Sequence, residues 1–164
     1  MKKHSISLTF LVRCSMLTAL TAVLTLFPRI PLGNGYAHMG DCIIYLTGAF
    51  LGPLPAAICG GIGQCLADII GGYPIYAVPT LLIKGLLGLL VGKLIYRHET
   101  HVIRLLSAAI LAHVIVASGY FLVDFFLYGL EVALITLLSP TQWIMSILAT
   151  ALLLPIAKQV LRKP

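Results

Sequence analysis

Long apolar blocks, bounded by glycine, proline or charge, divide this chain into pieces of the length that crosses a bilayer, about 20 residues with a range of about 17–25. The first runs from Ile6 to Phe27 and stops at Phe27-Pro28-Arg29-Ile30-Pro31. A loop rich in Gly and Pro follows, through Gly33-Asn34-Gly35 to Gly40. The second block opens near Asp41 and ends at Gly52-Pro53, so it is short and suits either a span or a re-entrant helix. The third runs from Leu54 to Ile70 and closes at Gly71-Gly72-Tyr73-Pro74. Val78 to Tyr96, Val102 to Leu127 and Gln142 to Leu161 make the fourth, fifth and sixth. The expectation is an all-α membrane protein, six transmembrane helices in a compact bundle, with residues 1–164 as a single domain.

Composition supports that class. Of 164 residues, 60% are hydrophobic and only 10% charged, with a mean hydropathy of +1.05. A soluble domain carries roughly 25% charged residues, so this chain has too little polar surface to cover a water-facing globule. Its net charge of +6 does not indicate nucleic acid, because the basic residues gather at block ends. Lys2, Lys3, Arg13, Lys93, Arg97, Arg104, Lys158, Arg162 and Lys163 fall at one face and Arg29 at the other. Positive residues flank the cytoplasmic ends of spans, which sets both termini in the cytoplasm and the protein in the cell membrane. The first block lacks a small-residue cleavage site and reads as a retained span, not a signal peptide. Cys14, Cys42, Cys59 and Cys65 contain no CxxC pair and read as buried packing residues, with no disulfide or metal expected.

With that orientation, Asp41, Asp68, Lys84 and Asp124 all come to the outer half of the membrane. A charge in hydrocarbon costs at least about 2.5–3.5 kcal/mol, so such charges pair, face water or mark a site. Tyr45 lies one turn below Asp41, and Tyr120 one turn deeper than Asp124. Gln142 and Trp143 open the sixth block, the first loop brings Tyr36 and His38, and the third loop brings Tyr76. Rings to stack on and a few placed hydrogen bonds suit a flat, polar-edged heteroaromatic solute. Each residue also has a plainer role. Tyr73, Tyr128 and Trp143 suit an interfacial aromatic belt. Asp41 can cap its helix, and Asp68 and Asp124 can pair with Lys84 as structural glue. His113, midway along the fifth block, suits a hydrogen bond between helices. On the first block Ser15, Ala19 and Ala22 form a stripe of small residues, which lets helices approach closely in lipid, within the bundle or against a partner.

The stretch His38-Met39-Gly40-Asp41, Gly52-Pro53, Gly60-Gly61-Ile62-Gly63, Ala67-Asp68, Gly71-Gly72-Tyr73, Pro79-Thr80 and Lys84-Gly85 resembles S components of energy-coupling factor (ECF) transporters. The riboflavin-type and hydroxymethylpyrimidine/pyridoxine-type members are the most alike. The likeness covers Arg13 to Gly92, and the last two blocks match in layout. It implies a non-enzymatic subunit that captures a water-soluble vitamin outside, associates with a transmembrane T protein and two cytoplasmic ATPases, and delivers the vitamin inward. In the family a small-xxx-small motif on the first helix docks on the T protein, and Ser15 and Ala19 match it, with Ser in place of the usual Ala.

On this reading Tyr36, His38, Asp41, Tyr45, Asp68, Tyr76, Lys84, Tyr120, Asp124, Gln142 and Trp143 face substrate, and no cofactor is needed. The chain has no GxxxxGK[ST], so ATP hydrolysis belongs to the partners. A rival reading is a stand-alone carrier driven by protons through Asp68, Asp124 and His113. No inverted repeat supports it. Another rival, an intramembrane enzyme, finds no GxSxG or HExxH to organise its residues.

Overall fold

A computed structural model describes residues 7–32, 35–96, 102–138 and 141–161. Lys2, Lys3, Arg97, Arg162 and Lys163 therefore lie outside the described residues, and so does the side chain of Trp143. The described chain is almost wholly helical: α1 Leu8–Leu26, α2 Gly40–Leu51, α3 Pro53–Ile70, α4 Ala77–Ile95, α5 Val102–Tyr128, α6 Leu130–Leu138 and α7 Thr141–Leu161. Helices α1, α3, α4 (with the 3-10 turn Pro74–Tyr76 before it) and the Ile110–Tyr128 part of α5 are long and apolar enough to cross a membrane. Gly40–Leu51 and Ile144–Leu153 are apolar but shorter.

Two elements depart from the sequence expectation. The loop after the first helix contains a hairpin, β1 Ile30–Leu32 paired antiparallel with β2 Gly35–Ala37, with Pro31 opposite Tyr36. The segment between the fifth and sixth predicted spans is not a plain loop but α6. Gly129 separates α6 from α5 at φ +89, a left-handed conformation that glycine adopts without a Cβ penalty. Its N–H still bonds Phe125 O, and Ala133 N bonds Gly129 O, so the chain turns without leaving the helical ladder unpaired.

The helix ends follow from local chemistry. Ser7 caps α1, its side chain accepting from Phe10 N at 3.1 Å. Proline at the start of α3 has no N–H to leave unpaired and presets the helical φ. Past the end of α3, Tyr73 N reaches back to Asp68 O at 2.8 Å, which closes the helix around Gly71 and Gly72.

Helices α3 and α4 pack more extensively than any other pair. Small residues explain this: a Cβ on Gly60 would stand 2.7 Å from Lys84 O, and one on Gly88 would collide with the Ala56 carbonyl. Backbone lies on backbone, the geometry that stabilises helix pairs where lipid removes the hydrophobic drive. Ile44, Ala56, Leu87, Val91, Ile95, Ala108 and Ala112 fill the core beside this contact. Large apolar residues such as Val78, Leu82, Phe126 and Leu152 are exposed on the outside.

Candidate functional site

Each helix brings a polar or small residue to one end of the bundle. Thr25 lies at the end of α1, Asp41 at the start of α2, Gln64 and Asp68 in the last turns of α3, and Thr80 and Lys84 in the first turns of α4. Tyr120 and Asp124 close α5, Thr136 lies on α6 and Gln142 begins α7. Together with Tyr36 and His38 from the hairpin they line a cavity of about 310 Å³.

Lys84 sits at 1% exposure, and its ammonium bonds both oxygens of Asp41, at 2.7 and 2.8 Å. Two amides complete the carboxylate's shell. Gln64 Nε2 donates to Oδ1 at 2.6 Å and Gln142 Nε2 to Oδ2 at 3.1 Å. A buried ion pair survives only when such extra hydrogen bonds satisfy its remaining lone pairs. Asp41 therefore is not the α2 cap; Met39 holds that position. Lys84 pairs with Asp41, and neither Asp68 nor Asp124 forms a salt bridge with it.

Gln142 also reaches the hairpin, accepting from His38 N at 2.8 Å. His38 turns its Nδ1 toward Gly40 N at 3.1 Å, so that nitrogen is the acceptor and the ring is neutral. Burial, with help from Lys84 and Arg29, lowers its pKa from 6.5 to about 4. A Cβ on Gly40 would strike Thr25 Oγ1 and crowd Gln64, which explains glycine where α1, α2 and α3 converge.

A second cluster forms around Asp68. Tyr36 OH donates to its Oδ1 at 2.9 Å, while Oδ2 is buried with no hydrogen-bond partner among the described residues. Burial and the Asp68 charge raise the Tyr36 phenol well above its usual pKa, so it stays a donor. Arg29 lies over the Tyr36 ring at 4.7 Å and donates to Leu26 O and Gly71 O, pinning the hairpin to the ends of α1 and α3.

A third cluster holds Asp124. Tyr76 OH donates to Oδ1 at 2.6 Å and the Thr136 hydroxyl to Oδ2. Thr80 and Tyr120 share a hydrogen bond of 2.8 Å beside it. Rings gather between the clusters: Tyr36 and Tyr73 have centroids 5.2 Å apart, Tyr76 and Tyr120 6.3 Å.

Tyr36, His38, Asp41, Tyr45, Asp68, Tyr76, Lys84, Tyr120, Asp124 and Gln142 thus line one cavity. Tyr73 and His113 line it as well, Tyr73 besides any interfacial role. Sequence reasoning passed over Gln64, Thr80 and Thr136. Gln64 lies four residues before Asp68, hence on the same helical face, and an amide in an apolar helix was a signal. Thr136 had none, because its helix was not expected. On α1, Ser15 and Ala19 are exposed and Ala22 half-buried, whereas Thr21 and Thr25 face inward. The four cysteines are free thiols, and no cluster of metal-ligating side chains occurs among the described residues.

Residues 5–162 match the family model described as "ECF-type riboflavin transporter, S component". The chain belongs to this family of ECF transporter S components. It is therefore a vitamin-binding subunit of a multi-pass membrane transporter and not an enzyme. An "Uncharacterized protein in gap 3'region" from Pyrococcus woesei is 39% identical over 109 residues, 65% of this S component and 72% of that relative.

Proposed function

We propose that this S component captures a flat heteroaromatic vitamin from outside the cell and delivers it inward as part of an importer completed by a T protein and two ATPases. The observation that carries the reading is the cavity itself, to which every helix contributes and in which tyrosine rings alternate with buried charge. Its volume, about 310 Å³, is at the lower end of the roughly 300–1,000 Å³ range of small-molecule sites. That favours one ring with short substituents, hydroxymethylpyrimidine (or a related thiamine precursor) or pyridoxine. Riboflavin is the second reading, supported by the ligand in the family's description.

In this proposal the tyrosines stack on the ring and Asp68, Asp124 and Gln142 read its edge. Tyr36 and His38 ride on the hairpin, which acts as the lid over residues 28–40. The Asp41–Lys84 pair frames one wall, and Trp143 is proposed as a further stacking ring. All six predicted spans cross the cytoplasmic membrane with both termini inside, because Arg13, Lys93, Arg104 and Lys158 lie on the helix ends away from the cavity. Ser15, Ala19 and Ala22 form the face that meets the T protein.

Mass spectrometry of small molecules released from the purified protein identifies the ligand, and calorimetric titration with hydroxymethylpyrimidine, pyridoxine and riboflavin ranks them. A folded protein that releases no vitamin and binds none of the three ends the proposal.

A further inference from the structure

We infer that the ligand carries a positive charge, as a protonated amine or a ring cation, and that Asp68 selects for it. This inference rests on the cavity being the vitamin site and narrows the one-ring class to its cationic members, so that hydroxymethylpyrimidine, pyridoxine and riboflavin bind less tightly than an aminomethyl or ring-cation relative.

The charge balance of the lining is the first observation. Three carboxylates, Asp41, Asp68 and Asp124, face the cavity against one ammonium, Lys84. Lys84 is committed to Asp41 through both of that residue's oxygens. His38 uses Nδ1 as an acceptor and adds no charge. His113 also lines the cavity, and even in its protonated form it leaves one carboxylate unneutralised. Arg29 donates to the Leu26 and Gly71 carbonyls and lies over the Tyr36 ring, with no salt bridge to Asp68. Hydroxyl donors on both Asp124 oxygens mark it as an acceptor, the role of an ionised carboxylate, while Asp68 accepts on Oδ1 alone.

The second observation is independent of that balance. Asp124 has both oxygens bonded, but Asp68, at 7% exposure, has an Oδ2 with no partner among the described residues. A buried carboxyl oxygen without a partner is costly, and an incoming N–H of a cation supplies the missing hydrogen bond and holds Asp68 in its ionised form. The rings complete the environment. Tyr36, Tyr73, Tyr76 and Tyr120 line the same space, and a desolvated cation gains from the negative faces of such rings.

The test compares ligands of one shape. Pyridoxamine and pyridoxine differ by an aminomethyl cation in place of a hydroxymethyl group. Titration calorimetry of the full-length protein at neutral pH should give pyridoxamine at least about tenfold tighter binding. Asp68→Asn should shrink that ratio to about twofold or less. The aminomethyl and hydroxymethyl forms of the 4-amino-2-methylpyrimidine ring make a second pair in wild-type protein, and decide the matter if the variant does not fold. Equal affinity within each pair, or preference for the hydroxyl, overturns the inference while the vitamin-site reading stands. So does binding of riboflavin with neither pair. A preference that persists undiminished in Asp68→Asn overturns the role of Asp68. No binding by any of these compounds removes the vitamin-site reading together with the inference.

Discussion

Lys84 shows how a side chain that lines the cavity can also hold the fold together. In sequence it is a cation two turns into an apolar helix, and its charge invites a substrate. In the fold its ammonium is held by Asp41, with Gln64 and Gln142 bracing the carboxylate. Lys84→Ala strands Asp41 in the interior, and breaking such a pair costs about 3–5 kcal/mol. Thermal melts in detergent should therefore fall steeply for this variant, and Lys84→Met with Asp41→Asn should recover much of the loss because no charge is left alone. Equal melting of the single variant and wild type would remove the pair as a structural element. His38 makes a second prediction. Its folded pKa is about 4 against the usual 6.5, chiefly through burial. Between those values the unfolded chain binds a proton that the folded chain refuses, so this contribution is complete above about pH 6.5 and is lost as pH falls through about 4. Melting temperature should drop across that window, and His38→Asn should flatten the drop. A variant whose profile parallels wild type would mean that His38 does not govern it.

Among the helices, α3 with α4 and α5 with α6 behave as opposites. The first pair meets backbone to backbone, so Gly88→Ala drives a methyl into the Ala56 carbonyl and should abolish folded protein on size-exclusion chromatography. Gly72→Ala is the control: it has open space but φ +88, and costs about 1–2 kcal/mol through backbone strain alone. Among the described residues, helix α6 packs its backbone on α5 alone, and it reaches the cavity through Val132, Ile135 and Thr136. Thr136→Val removes a hydrogen bond to a buried carboxylate, worth about 1.5–3 kcal/mol. The melting temperature should fall, and the dissociation constant of the bound vitamin should rise about tenfold as the Asp124 wall loosens. An unchanged constant would take α6 out of the site.

The helix positions and the shared end of the four charged residues could be read from the chain because apolar length and charge placement fix them. Asp41 and Asp68 sit beside Gly/Pro breaks, Asp124 lies near the end of its apolar block and Lys84 about two turns into its own, so their level follows from counting. Which group meets which could not be read that way. The Asp41–Lys84 pair depends on how closely α2 and α4 approach, where a Cβ on Gly48 would stand 3.0 Å from Gly92 Cα, a partner remote in sequence. Helix α6 stayed hidden because Leu130–Leu138 is too short to cross and resembles a loop hydrophobic enough to lie at an interface. The orientation of the whole bundle gives its own prediction. In a background without the native cysteines, Ile75→Cys at the cavity end should react with an impermeant maleimide on intact cells. Lys93→Cys at the other end should react only after lysis. The reverse result would turn the protein over in the membrane.

The glycine seam between α3 and α4 has a consequence for how ligand preference can change. A contact made of main chain has no rotamers, so neither helix can yield to a bulkier guest without the seam parting. Divergence toward a larger vitamin must come from the facing side, where α5, α6 and α7 meet the space through replaceable side chains. Exchanging residues 102–161 between two S components that take vitamins of different size should transfer the size preference of the donor, while the charge preference carried by Asp68 stays with α3.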